Sequence, residues 1–355
     1  GDVDLTANVF FRTTAAVSLI TGGDLTIGAG IKISNSGNVT IADNIISLSA
    51  TSQWTNEENS TLNIGGDLLL NSGSQGIFEA SESGNSVDYN GSGDQTIRNP
   101  STSYYNLSTS GGGTKDITAT IDVNGNLSLN GTASLDVNTS NSINIAGDWI
   151  NAGGTLIEGN GNVFFDGTTD QTISGAETFY GLTYTGSSGL YLGNDVTVAN
   201  LMTMSGGNIY PQTNKLIIGS GAGSPGDITY NSGIVAGQLE RWATGTGTPL
   251  LYPIGTPSTY RPATITYNAL GVGSVIGEFI EVDPGSAVLP LSEGTVNVTN
   301  QYTEGYWDLT AANGLTSTSY DIQLTATGFS SYTIIPGTRI ITRTAGGNWT
   351  LDGTH

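Results

Sequence analysis

One histidine and no cysteine bound the chemistry open to this chain. His355 is the final residue, so a Ser-His-Asp or Cys-His arrangement has no internal base, and zero Cys removes thiolate nucleophiles, thiolate metal sites and disulfides. What remains is carboxylate chemistry with Lys or Arg beside it. The cations of the N-terminal part are Arg12, Lys32, Arg98, Lys115 and Lys215, each isolated, and neither an Asp-Asp pair nor a Gly-His-Gly stretch of the pectin-hydrolase kind occurs. The expectation is a non-enzymatic protein, with a carbohydrate-active lyase or hydrolase as the alternative.

Three groups of residues suggest binding. Glu278, Glu281 and Asp283 gather beside Pro284-Gly285. Carboxylate oxygens near a turn suit Ca²⁺, and a solvated strand face ending in a turn is the competing reading. Arg241, Trp242, Tyr260 and Arg261 read as an exposed aromatic and cationic patch for a glycan or partner, or as Arg stacked on rings that close a sandwich. Asp24, Asp67 and Asp148 share a Gly-Asp-apolar context, which suggests a ladder at one corner of a stacked fold. Their carboxylates would cap turns by accepting backbone N–H bonds; Ca²⁺ between coils is the other option, although the Gly-Gly-x-Gly-x-Asp nonapeptide is absent. Asp94-Gln95 and Asp170-Gln171 carry the same ambiguity, with structural pairing favoured. No cofactor is required, and Ca²⁺ is the one ion considered.

The elements that would position these residues are short strands. Apolar residues alternate with Thr, Ser or Asn, as in Gly23-Asp-Leu-Thr-Ile27 and Gly37-Asn-Val-Thr-Ile41, and Gly, Asn and Asp punctuate the turns. No stretch carries a helical period. Two long segments also match each other: Asp67 recurs as Asp148, Gly91-Ser-Gly-Asp-Gln-Thr-Ile97 as Gly167-Thr-Thr-Asp-Gln-Thr-Ile173, Leu107 as Leu182 and Leu127 as Leu201. Strands recurring about every 20 residues without helical crossovers predict an all-β fold, a parallel β-helix (solenoid) in which each coil pairs with those above and below. Some eleven coils at about 4.8 Å would make a rod of roughly 50 Å.

Composition changes near residue 225. Of ten Pro only Pro100 and Pro211 precede that point, and the long repeat stops. Segments 262–267, 275–282, 305–309, 320–325 and 338–343 read as separate strands of an antiparallel β-sandwich. The expected organisation is a β-helix repeat domain over 1–225 and a β-sandwich domain over 226–355, possibly without its last strand.

The phrases "GSGDQTI" and "GTTDQTI", each followed by "YYNL" or "FYGL", resemble repeats of large cell-surface proteins of Bacteroidota exported by the type nine secretion system. "GQLERW", "YPIGTPSTYRP", "GYWDL" and "NWTLDGTH" resemble the domain that often follows them. The resemblance covers nearly the whole chain and implies an adhesin-like, secreted or surface protein. Family members usually continue into a last strand and a C-terminal sorting domain, so the chain reads as a segment of a longer protein.

Charge narrows the partners. Thirty Asp plus Glu against nine Lys plus Arg give a formal charge of -21, which repels nucleic acid and anionic lipid. No apolar run approaches the roughly 18 to 20 residues of a spanning helix, so membrane insertion is not expected. Only 11% of residues are charged, leaving a surface of amide, hydroxyl and backbone. The expected location is extracellular or on the outer cell surface. The expected partners are a glycan, a protein or further copies of the chain as a homo-oligomer, with a filament subunit as a further alternative because solenoid ends expose sheet edges.

Overall fold

A coil of this sequence cannot bury its own apolar residues, and the computed structural model shows how stacking does it. Residues 1–11, 18–70, 75–326, 328–330 and 333–354 are described, and among them no helix occurs. The chain forms two compact units, Gly1–Gly233 and Ile234–His355. The first is a parallel β-solenoid and the second is antiparallel.

Three faces build each coil of the solenoid. Face 1 stacks Val3–Leu5, Leu25–Ile27, Ile45–Ser47 and Leu68–Leu70, then Gln95–Ile97, Thr114–Ile117, Ser134–Asp136 and Thr155–Ile157. The two runs are joined by Asp67, whose Oδ1 accepts the Thr96 N–H at 3.0 Å. Face 2 stacks Val9–Phe11, Lys32–Asn35, Gln53–Asn56 and Ile77–Glu79. Parallel bridges Ala80 to Tyr104 and Tyr104 to Val123 carry it into Ile121–Val123, Ser142–Ile145, Asn162–Phe165, the second half of Glu177–Tyr184 and the second half of Val196–Met204. Face 3 is a continuous ten-stranded ladder from Ser18–Thr21 to Ile209–Tyr210.

The period-two pattern supplies the core directly. On face 3 the in-register positions Val39, Leu62, Val87, Leu107, Leu127, Trp149, Ile173 and Leu192 form one buried column. Each such side chain contributes about 1.5–3 kcal/mol, and only because the coils above and below cover it. Residues between them in sequence point outward and are Ser, Thr or Asn in most coils.

The long sequence repeat is out of step with the coils. Thr61–Ile64 lies on face 3, and its counterpart Ser142–Ile145 lies on face 2; Gln95–Ile97 lies on face 1, and its counterpart Gln171–Ser174 lies on face 3. Every matched pair is displaced by one face in the same sense, because the strands separating them are not a multiple of three. This corrects the expected single ladder of Asp24, Asp67 and Asp148. Asp24 and Asp67 lead into face 1, whereas Asp148 leads into Trp149–Ala152 of face 3.

The solenoid extends past the compositional change at residue 225. Asp227–Tyr230 still pairs in parallel with Val196–Met204, in register from Leu201 with Asp227 to Met204 with Tyr230.

In the second unit, Gln238–Ala243, Gly273–Ile280 and Tyr306–Ala312 form one antiparallel sheet, and Leu250–Tyr252, Ala263–Gly271 and Thr316–Leu324 form another. Tyr252 joins them: its ring lies against Gly277, and its hydroxyl donates to the Val275 carbonyl at 3.2 Å. A hairpin of Leu291–Glu293 and Val296–Val298 completes the regular structure. The strand expected over 338–343 is not one. Arg339 instead pairs with Glu293, Arg343 lies 4.3 Å over the Trp349 ring, and a lone antiparallel bridge joins Thr342 to Thr350. Alternation there reflects side chains with local partners rather than a rung in a sheet.

Candidate functional site

Polar residues in the solenoid are used first to hold coil to coil. At the corner entering face 1, Asp24 Oδ1 accepts the Asn44 N–H (3.0 Å), Asn44 Oδ1 accepts that of Asp67 (2.8 Å), and Asp94 Oδ1 accepts that of Thr114 (2.8 Å). The corner entering face 3 repeats the device. Asn106 receives Asn126 (2.9 Å), Asn126 receives Asp148 (2.8 Å), Asp148 receives Thr172 (2.8 Å) and Asp170 receives Gly189 (2.9 Å). Each side-chain oxygen satisfies a backbone N–H at the corresponding corner of the next coil, in the turn or at the strand start. Turn capping, favoured from the sequence for the Asp residues, is what these side chains do. Asn44, Asn106 and Asn126 serve in the same ladders, and each directly precedes a strand or its first apolar residue.

The two Asp-Gln motifs are clamps of the same design. Gln95 donates to the carbonyls of Ile64 (2.9 Å) and Gly66 (2.6 Å) and accepts the Gly91 N–H (2.9 Å). Gln171 donates to Ile145 (2.9 Å) and Gly147 (2.7 Å) and accepts Gly167 (3.0 Å). Both are buried. Gly91 and Gly167 are required there, since a Cβ on either would collide with the carbonyl of Gly65 or Ala146 in the coil below. Lys115, one rung above Gln95, is fully buried and donates to Gly91 O (2.9 Å) and Gly93 O (2.8 Å). Burial lowers its pKa, opposed by the charges of Asp88 and Asp94.

The remaining basic residues do not converge. Arg98 donates to Gly76 O at 2.9 Å; Lys32 and Lys215 stand at strand starts, their N–H groups bonded to Asn8 and Asp195. Arg12 and His355 lie outside the described residues.

In the second unit Arg241, Trp242, Tyr260 and Arg261 do not form an exposed patch. Arg241 and Arg261 are buried at 3% and 5% exposure. Arg241 donates to Leu251 O at 2.8 Å, and Arg261 lies 4.2 Å over the Phe329 ring, the stacked arrangement that the sequence favours over an exposed patch. Trp242 and Tyr260 are half-buried. A guanidinium can enter an apolar interior when rings and carbonyls receive it. Glu278, Glu281 and Asp283 meet different partners. Glu278 is half-buried opposite Asp308, and burial raises its pKa; the Glu281 charge acts on Arg261; Asp283 caps the Gly285 N–H at 2.8 Å. Among the described residues, no three His, Cys, Asp or Glu gather in a group that could hold a metal ion.

Face 1 departs from the regular ladder a second time higher in the solenoid. Face 1 stops at Thr155–Ile157, and the strand of the next coil, beginning at Glu177, pairs upward with Val196–Val198 but not downward. A cleft of about 330 Å³ fills the interval, lined by Asn151, Thr155, Leu156, Glu158, Glu177 and Thr178 among others. Glu177 turns inward and is only 6% exposed; its Oε1 accepts the Trp149 indole N–H (3.1 Å) and an amide N–H of Asn151. Gly175 makes the approach in the left-handed region, at φ 97°. A side chain thus spans two coils where a backbone rung would be. Neither Glu158 nor Glu177 was marked in the sequence, and the one signal was a carboxylate at an inward position of an alternating strand.

Burial raises the Glu177 pKa; hydrogen bonds from Asn151 and Trp149 oppose this, and the Glu158 charge adds to it. The folded protein therefore holds this proton more tightly than the unfolded chain. Its contribution is complete below the unfolded value, near 4.5, and is lost as pH rises through the folded value. Glu177→Gln is expected to flatten that fall, so melting temperatures at about pH 4 and pH 7 should differ less than in wild type. An unchanged difference would mean that Glu177 does not titrate across this range.

The fold and its corner ladders define the protein class as a parallel β-solenoid. No family model matches the chain, nor does any curated protein or solved structure.

Proposed function

We propose that this chain is a non-enzymatic structural or adhesive segment of a secreted or cell-surface protein, its solenoid holding polar faces in fixed register. The observation carrying this reading is the series of coil-to-coil side-chain bonds along two corners, which commits Asp, Asn, Gln and Lys side chains to rigidity rather than to reactivity. A low density of charge and the absence of thiols suit an extracellular setting. The resemblance to Bacteroidota surface repeats supports export by the type nine route, and a glycan, a protein or another copy is the partner class. Ca²⁺ at Glu278, Glu281 and Asp283 is not needed for this role.

A second reading, a carbohydrate-active solenoid, is favoured by one observation: the face-1 cleft brings Glu158 together with a buried Glu177 whose pKa is raised. The two readings separate in one experiment. Beads coated with the chain should adhere under flow to glycan-bearing surfaces or to one another, while the soluble protein leaves neutral and acidic polysaccharides uncut. New reducing ends released by wild type and lost in Glu177→Gln would sink the structural reading.

A further inference from the structure

The face-1 cleft exposes more than carboxylates. In Thr155–Ile157, the Thr155 N–H donates to Ala133 O at 2.9 Å and the Ile157 carbonyl accepts from Val137 N at 3.0 Å. Both outer residues of the strand therefore point their backbone groups at the coil below. Because N–H and C=O alternate in direction along a strand, those of Leu156 point the other way, into the cleft, where no strand pairs with them. The Leu156 side chain is half-exposed, whereas Leu135, directly below it, is fully buried. The cleft is thus an open parallel edge whose lining is mainly polar, with Leu156 its largest apolar side chain. Glu158 and Glu177 stand among its lining residues and no cation does.

We propose that this cleft is an acceptor for an extended peptide segment bearing Lys or Arg. The segment adds as a short strand to the edge at Leu156, its backbone exchanging hydrogen bonds with the Leu156 N–H and C=O and its cations lying toward Glu158 and Glu177. Backbone pairing supplies the affinity common to any strand, and the two carboxylates select its charge. The volume lies at the small end of ligand pockets, which fits a segment of a few residues rather than a domain. This goes beyond the structural role and does not depend on it.

The test is titration of isotope-labelled full chain with acetyl-Lys-Val-Lys-Val-Lys-amide, following the Leu156 amide by NMR. Its controls are the Glu-Val counterpart, the lysine peptide N-methylated at alternate residues, and a chitosan hexamer. The lysine peptide should shift the Leu156 resonance and slow its hydrogen exchange, and Glu158→Gln should weaken binding by about fivefold, as should raised salt. The Glu-Val and N-methylated peptides should leave the resonance in place. Glu158 is half-buried and its carboxylate bonds to no neighbouring coil among the described residues, so its variant keeps the test clear of the folding role of Glu177. Equal binding of the N-methylated peptide, no response to the lysine peptide, or a response to the chitosan hexamer alone would each overturn the proposal.

Discussion

Gln171→Leu is expected to lower stability by about 3 kcal/mol, because it removes three bonds at once and leaves the Ile145 and Gly147 carbonyls and the Gly167 N–H without their side-chain partner. The leucine fits by volume, so the loss measures polar satisfaction rather than packing. The same substitution at Gln95 removes the corresponding three bonds and should cost the same within error. Lowered melting temperature, together with faster hydrogen exchange at Gly167 in one variant and Gly91 in the other, is the measurement. A large loss at one site and none at the other would show that the two motifs are alike only in sequence.

Trp149→Ala carries the larger expected effect. The indole is fully buried in the face-3 column, packs edge-on against Phe179 with centroids 5.1 Å apart, and donates to Glu177. Truncation should cost about 3–5 kcal/mol for the cavity, with a further loss because a buried carboxylate keeps only its Asn151 donor. Trp149→Phe separates the two contributions by restoring most of the volume without the N–H. Chemical denaturation should place the phenylalanine variant between wild type and alanine; coincidence with wild type would remove Glu177 from the coil-spanning role assigned to it.

The ladder was legible in the sequence because one rule generates it. Alternation about a stacked core places Val39, Leu62, Leu107 and Leu127 inside without long-range information, and Gly or Asn at the corners marks where each strand ends. Two kinds of feature were not legible. The first is phase: matching Asp67 with Asp148 is correct as sequence similarity, yet nothing local records how many strands intervene, so the change of face stays hidden. The second is inward polarity. Lys115 and Glu177 look like surface residues by type, and only partners distant in sequence make their burial tolerable: Gly93 for Lys115 and Asn151 for Glu177. The cleft belongs with these, since a missing rung leaves no trace in the alternation on either side of it.

The displacement of the repeat by one face gives the solenoid a rotational arithmetic. Adding or deleting a single strand upstream would turn every later motif through a third of a revolution about the axis, while adding three would leave all headings as they were. Lineages that lengthen such a chain by unequal recombination can therefore re-aim a whole array of surface groups in one event, without altering any of the residues that compose it.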